Sequence, residues 1–352
     1  MQKRRILSAI LLFAILLLTF VMSAMPVSAA EVGYGNLYFI VNNEENTAQL
    51  STYNGTDTNV VIPDEVYGYK VTSIAPRVFY ENNTIETISI PDTVDTIGLY
   101  AFAFCSKLQS VTLGENVTNL GDSVFLGCNS LESAQINCNI EKLPRGTFEK
   151  CSSLNDVTLS DTISEIGNTA FMECASLEIL PINMITQYGS NCFLGTGVTK
   201  VDVADGVTNI PWMCFANCYN LSEITIPNSV SSIDDTAFYN IENQFTIKCF
   251  NESFALDYAQ NNNISYIILM QFILGDVDGV DNVNINDVTA IQSHLAEINT
   301  VEGVFLLAAD ANQDDIVDIS DATAIQMKLA EYVLPYPIGQ YVTKEVVTQE
   351  SN

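Results

Sequence analysis

The chain has 352 residues, with 42 Asp and Glu against 13 Lys and Arg, one His, nine Cys and a formal net charge of −29. That charge repels phosphate backbones and anionic lipid, so nucleic acid and membrane surfaces are excluded as partners. It suits a protein that collects divalent cations.

Residues 1–30 read as a secretory signal peptide. Lys3, Arg4 and Arg5 form a basic head, Ile6 to Met22 an apolar core, and Ser28, Ala29 and Ala30 a small-residue end. The core is short for a spanning helix, and no Cys stands there to carry a lipid. The segment holds three basic residues and no acid, so its loss takes the charge from −29 to −32. The expected product is secreted, with no membrane insertion after cleavage. Residues 31–70 follow, where LYFIVNN and AQLSTYNG alternate weakly in polarity around polar turn residues. This pattern is expected of a hairpin that caps the exposed end of a repeat array.

From 71 to 250 the chain repeats. Phe79, Phe102, Phe125, Phe148 and Phe171 stand 23 residues apart, and Phe193, Phe215 and Phe238 continue with steps of 22, 22 and 23. A second apolar column runs through Ile85, Leu108, Leu131, Leu154, Leu177, Val198 and Leu221. Each member opens a short alternating segment such as LQSVTL (108–113). One such unit cannot bury its apolar side alone, so stacked coils must share a core, with short strands in a parallel sheet. Cys105, Cys128, Cys151 and Cys174 share the 23-residue period, and Cys218 rejoins it. Nine Cys in a secreted chain first suggest disulfides. A periodic Cys instead reads as a small buried hydrophobe, mostly as the free thiol.

The motif in ISIPDTVDTIGLYAFAFCSKL (88–108) resembles the leucine-rich repeats of the bacterial surface-antigen, BspA-like type. IPDEVYGYKVTSI (62–74) is similar to the start of such arrays, and FNESFALDYAQNNNISYIIL (250–269) to their closing helix and strand, which places a C-terminal cap at 251–269. The resemblance implies binding or adhesion and no catalysis. The residues agree, because the single His294 lies outside the array and leaves no Ser–His or Cys–His pair there. A carboxylate pair for sugar hydrolysis would need two converging acids, and the acids of the array fall at turns and on strand faces. The outward mid-strand column reads Ser89, Thr112, Gln135, Thr158, Pro181, Asp202 and Thr225. Of these, Thr112, Gln135, Thr158, Asp202 and Thr225 are the candidate face for an unidentified protein or glycan, although any solvated sheet has such a column. Pro181 sits inside a shortened repeat and predicts a local bend. Trp212, beside Pro211, is expected to be partly buried in the core, with stacking on a sugar as the alternative.

After residue 269 the period ends, and two segments match each other at a distance of 34 residues: DVDGVDNVNINDVTAIQSHLA (276–296) and DANQDDIVDISDATAIQMKLA (310–330). In the second, Asp310, Asn312, Asp314, Asp318 and Asp321 hold positions one, three, five, nine and twelve of a calcium loop, and the Ile316 carbonyl holds position seven. Hard oxygens at alternate positions suit Ca²⁺, which takes six to eight of them. In the first, Asp276, Asp278, Asn284 and Asp287 remain, with the Asn282 carbonyl. Position five is Val280 and position six is Asp281. Two calcium sites are expected, the first weaker. One helix should follow each loop, with Val288, Ile291 and Leu295 inward in the first and Ile325 and Leu329 on one face of the second.

Residues 275–332 resemble a type I dockerin module. The resemblance implies calcium-dependent docking to a cohesin module on a scaffoldin, in a cellulosome-like or amylosome-like assembly at the cell surface. The contact positions become Ile285, Asn286, Gln292 and Ser293 in one half and Ile319, Ser320, Gln326 and Met327 in the other. Their likeness implies that either helix could lead the docking. Residues 333–352 read as a tail packed on this module. The expected fold class is therefore a leucine-rich repeat solenoid, with parallel short strands and irregular or helical returns. A small all-α calcium-binding module of two loop-helix (F-hand) motifs follows it. The expected protein is a monomeric, non-catalytic recognition or adhesion component. The alternatives are a carbohydrate-active hydrolase and a structural spacer.

Overall fold

The structure is a computed structural model that describes residues 30–182, 184–241, 245–280 and 282–349. The signal-peptide segment lies outside the described residues. Among the described residues, no helix is long and apolar enough to cross a membrane.

The N-terminal cap is larger than a hairpin. Strands Ala30–Tyr34, Leu37–Asn42 and Thr47–Tyr53 form an antiparallel meander, and the third pairs in parallel with Tyr69–Ile74. Leu37, Phe39 and Val41 alternate inward, as period two demands of a half-buried strand. The cap thus supplies the strand edge on which the first coil stacks.

Each coil of the array carries two short strands and a turn-rich third side. The longer strands Ser110–Leu113, Ser133–Ile136 and Asp156–Leu159 pair in parallel, with Val111, Ala134 and Val157 side by side. A second ladder of two-residue strands runs beside it, as in Lys142–Leu143, Glu165–Ile166 and Gln187–Tyr188. The third side holds the Phe column as a continuous pile. From Phe79 to Phe238 successive ring centroids lie 5.1 to 5.8 Å apart, with ring planes tilted by 7 to 19°. These offset stacks add to the burial of the rings.

The buried Cys column does more than fill space. The Sγ–H groups of Cys105, Cys128, Cys151 and Cys174 donate to the carbonyls of Phe79, Phe102, Phe125 and Phe148, each at 3.1 Å. In the irregular coil, Thr196 stands in the Cys position, and its hydroxyl donates to the Phe193 carbonyl at 2.9 Å. The position therefore selects a small group that donates a hydrogen bond. All nine Cys are buried free thiols.

The sheet of longer strands is interrupted once. Pro181 follows Thr112, Gln135 and Thr158 in the same register but has no N–H for the ladder. Residues 178–182 form no strand, and pairing resumes as Lys200–Asp202, Glu223–Thr225, Thr246–Phe250 and Ser265–Ile273. The expected bend is thus a break that divides the sheet in two. Beyond it, α1 (Phe254–Asn261), N-capped by Ser253, covers the end of the core. The closing strand does not stop at 269. It continues to Ile273 and runs directly into the next unit.

That unit has three helices: α2 (Ile285–Leu295), α3 (Val304–Ala309) and α4 (Ile319–Leu329). Helix α3 lies between the two expected loop-helix units and is additional to them. The core is also not purely helical. Val288, Ile291, Ala308, Ala322 and Ile325 are joined by Phe272 from the closing strand, by Leu274 just after it and by buried Ile338 from the tail. Leu295 and Leu329, expected inward, are each 41% exposed, because each is the last residue of its helix and lies beyond the packed turn. The tail itself is a strand. Tyr341–Gln349 pairs antiparallel with the closing strand from Ile273↔Tyr341 to Tyr266↔Gln349.

Candidate functional site

The two loops are built to one plan. Each ends in a wholly buried carboxylate that gathers backbone N–H groups from its own loop. Asp287 accepts from Val277 at 2.7 Å and Asp278 at 3.1 Å through Oδ1, and from Asn284 at 2.7 Å through Oδ2. Asp321 accepts from Asn312 at 3.0 Å through Oδ1 and from Asp318 at 2.9 Å through Oδ2. Burial pushes the Asp321 carboxyl above the ordinary carboxylate range, against the hydrogen bonds that lower it. Asn284 and Asp318 then cap α2 and α4, accepting from Asn286 and Ser320 at 2.7 Å each. Both caps are reciprocal capping boxes, so the loop and the helix start are one hydrogen-bonded object.

The remaining ligand candidates line these turns. In the first loop Asp276 accepts from Gly279 and Asp278 from Val280, both at 2.9 Å. One oxygen each from Asp276, Asp278 and Asp287 lies within 4.8 Å of the others, the one such group of three among the described residues. Three carboxylates held that close repel each other unless a cation sits among them. The donor set consists of hard oxygens, so these residues fit a calcium ion. The Asn282 carbonyl accepts from the Asn284 amide at 2.9 Å, Val280 is 58% exposed, and Asp281 lies outside the described residues. In the second loop Asp310 accepts from Asp314 and Asp315 at 3.0 and 3.1 Å, Asn312 from Asp314 at 3.0 Å, and Asp314 from Ile316 at 3.0 Å. Asp310 is nearly buried while Asp314 and Ile316 are exposed.

The helices that follow pack against each other and turn matching residues outward. Ile285 and Ile319, the first residues of α2 and α4, are each 59% exposed. Asn286, Gln292, Ser320, Gln326 and Met327 are exposed, and Ser293 is half-buried. Two isoleucines are thus held outward at equivalent places of the two helices.

On the array, Thr112, Gln135 and Thr158 form one exposed row across three paired strands. Asp202 and half-buried Thr225 pair in the other sheet, beyond the break at Pro181, so the candidate face is two rows and not one. Beside the first row lies a polar cleft of about 570 Å³ that no sequence motif marks, lined by Asn116, Asn137, Asn139, Ser160, Asp161 and Thr162 among others. Its lining comes from turns at equivalent places in neighbouring coils, visible only once the coils are stacked. Trp212, expected partly in the core, is 49% exposed.

The BspA type leucine rich repeat region matches this sequence in six copies, over residues 72–196 and 186–273. The chain belongs to the BspA-type leucine-rich repeat family. The BspA-type match ends at 273, before the twin loops. Similar solved structures include a leucine-rich repeat protein from Bacteroides ovatus ATCC 8483, at 24% identity over 62% of this chain and 70% of that one, with a TM-score of 0.42. A leucine rich cell surface protein from Faecalibacterium prausnitzii A2-165 is 22% identical over 64% and 89%, with a TM-score of 0.34. A leucine-rich repeat protein of T. pallidum is 22% identical over 60% and 92%, with a TM-score of 0.37. No curated protein matches the chain.

Proposed function

We propose that the BspA-type array is a non-catalytic recognition element of a secreted bacterial surface protein, and that residues 275–332 are a calcium-dependent docking module. The observation that carries this reading is the pairing of two matched capping carboxylates, Asp287 and Asp321, with two matched exposed isoleucines, Ile285 and Ile319. Calcium would be held by Asp276, Asp278, Asn284 and Asp287 with the Asn282 carbonyl, and by Asp310, Asn312, Asp314, Asp318 and Asp321 with the Ile316 carbonyl. Bound calcium supplies the positive charge that offsets the crowded carboxylates. The protein's own part is to order each loop so that α2 and α4 present Ile285, Asn286, Gln292 and Ser293, and Ile319, Ser320, Gln326 and Met327.

The resemblance of this module to a type I dockerin names the partner, a cohesin module of a scaffoldin. Attachment of the array to a cell-surface, cellulosome-like complex follows from that partner. For the array we propose a glycan or protein ligand at the Thr112–Gln135–Thr158 row and its neighbouring amide-lined cleft. Amide and hydroxyl groups in rows recognise sugar hydroxyls without chemistry on them.

A pull-down from the extracellular fraction of the source organism tests the docking. Capture of a cohesin-bearing protein with calcium, lost with chelator and lost in Ile285→Ala/Ile319→Ala, is the expected result. Equal capture with chelator removes calcium from the account. Product release from a polysaccharide by the purified chain, abolished by a carboxylate substitution, would replace recognition with hydrolysis.

A further inference from the structure

The tail strand carries two adjacent charges to two different bodies. Successive residues of a strand point to opposite faces. Glu345 turns to the array, where its Oε1 lies 2.6 Å from Lys248 Nζ, which in turn lies 2.9 Å from Glu223 Oε2. Lys344 turns the other way and enters the second loop. Its Nζ donates to Asp315 Oδ1 at 2.8 Å and lies 3.7 Å from Oδ2 of Asp310, the nearly buried residue at position one. An ammonium group is therefore already placed against a carboxylate that the second loop would use to hold metal. Antiparallel pairing with the closing strand fixes Lys344 there, opposite Met270.

We propose that Lys344 is a tethered cation that contests the second loop with calcium, so that the first loop fills before the second. The proposal rests on the calcium reading of both loops. It reverses the order expected from ligand count alone, in which the missing oxygen at Val280 made the first loop the weaker. Two positive charges on one carboxylate oppose each other, so calcium must either displace Lys344 or bind beside it. The position-six residue, Asp315, gains a role too: it is the anchor that parks the ammonium beside Asp310.

The experiment is a calcium titration of the full chain by calorimetry. In the intact chain the tighter of two steps should disappear in D276N/D278N. In that D276N/D278N background, K344M should bind calcium at the second loop about three- to tenfold more tightly than the parent, the size expected when one partly exposed opposing charge is removed. K344R, which keeps the charge, should match the parent. The gap should narrow in high salt, which screens it. Equal or weaker binding by K344M overturns the proposal, as does a tighter step that survives D276N/D278N. Loss of all binding in D276N/D278N and in its K344M derivative, while the intact chain still binds, overturns the proposal alone. No binding by the intact chain removes the calcium reading along with it. Thermal melts of each variant confirm that the fold is retained.

Discussion

The array and the C-terminal module are both made from repeated sequence, but the repeat is used for opposite ends. In the array, equivalent residues meet each other: Phe stacks on Phe, and the thiols of Cys105, Cys128, Cys151, Cys174 and Cys218 reach the Phe carbonyl one coil away. Repetition there builds one continuous core. In the module, the equivalent residues Asp287 and Asp321 never meet. Each closes its own loop, and repetition yields two separate copies of one loop and helix start. The array concentrates aromatic burial, whereas the module core contains Ala308, Ala309, Ala311, Ala322 and Ala324, whose side chains bury little area. The module accordingly borrows Phe272 from the closing strand of the array and Ile338 from the turn before the tail strand. The difference predicts two kinds of sensitivity, one to packing and thiol protonation, the other to cations.

The largest separation should come from alkali. Burial raises the thiols of Cys105, Cys128, Cys151, Cys174 and Cys214, and pushes Cys138 to about 12 and Cys218 and Cys249 to about 11. A raised folded value means that the unfolded chain releases its protons first. The stability is complete below the unfolded thiol pKa, near 8.5, and falls as pH rises from there through the folded values, by about 1.4 kcal/mol per thiol per pH unit. Denaturant midpoints between pH 8 and 10 should fall steeply for the array, and alkylation of the native chain should be slow at pH 8. Rapid native-state labelling would show that the Cys column is not buried as described. Next in size is Phe148→Ala, which removes a wholly buried ring from the middle of the pile. It should cost the array about 3–5 kcal/mol in urea unfolding, with far less change in the exchange protection of α2 and α4.

The sign should reverse for calcium. Metal that binds only the folded module stabilises it by about 2.7 kcal/mol at a hundredfold excess over Kd. Chelator should lower the protection of α2 and α4 in hydrogen exchange while leaving the coils from 85 to 177 unchanged. A uniform loss across both regions would mean that they unfold as one unit, coupled through the tail strand.

Much of this division is legible in the sequence, because it depends on spacing. A residue that recurs every 23 positions must occupy one place in a coil, so the Phe and Leu columns declare the core by their period alone. The twin loops are equally plain, since the ligand positions are local. What spacing does not carry is contact between distant segments. YVTKEVVTQ reads as a polar tail, and its partner is the closing strand of the array, on the far side of the whole module. Lys344 is one of nine lysines, with nothing to mark it, until that pairing sets it beside Asp310. The Cys column reads as filler because its acceptor belongs to the previous coil. The Pro181 break is legible as a disturbance, but its outcome depends on which N–H the ladder needs there.

The turns hold a smaller effect, which bears on why the array tolerates so much strain. In each coil the residue two places after the column Phe has a left-handed backbone: Phe104, Gly127, Lys150, Glu173, Gly195 and Asn217 have φ between 57 and 70°. Gly suits this region because it has no Cβ, whereas other L-residues are held there at a cost of roughly 1 kcal/mol. Lys150 is exposed, and its φ is 64°. Its N–H donates to the Met172 carbonyl at 2.7 Å, so the coil-to-coil bond needs the backbone in this state, whatever the side chain. Lys150→Gly should therefore keep the bond and relieve the strain, raising array stability by at most about 0.5 kcal/mol after the greater freedom of Gly in the unfolded chain is subtracted. The module should not respond, since it shares no contact with this turn. A destabilised Lys150→Gly array in urea would mean that stacking of the Lys150 side chain outweighs the strain of its backbone.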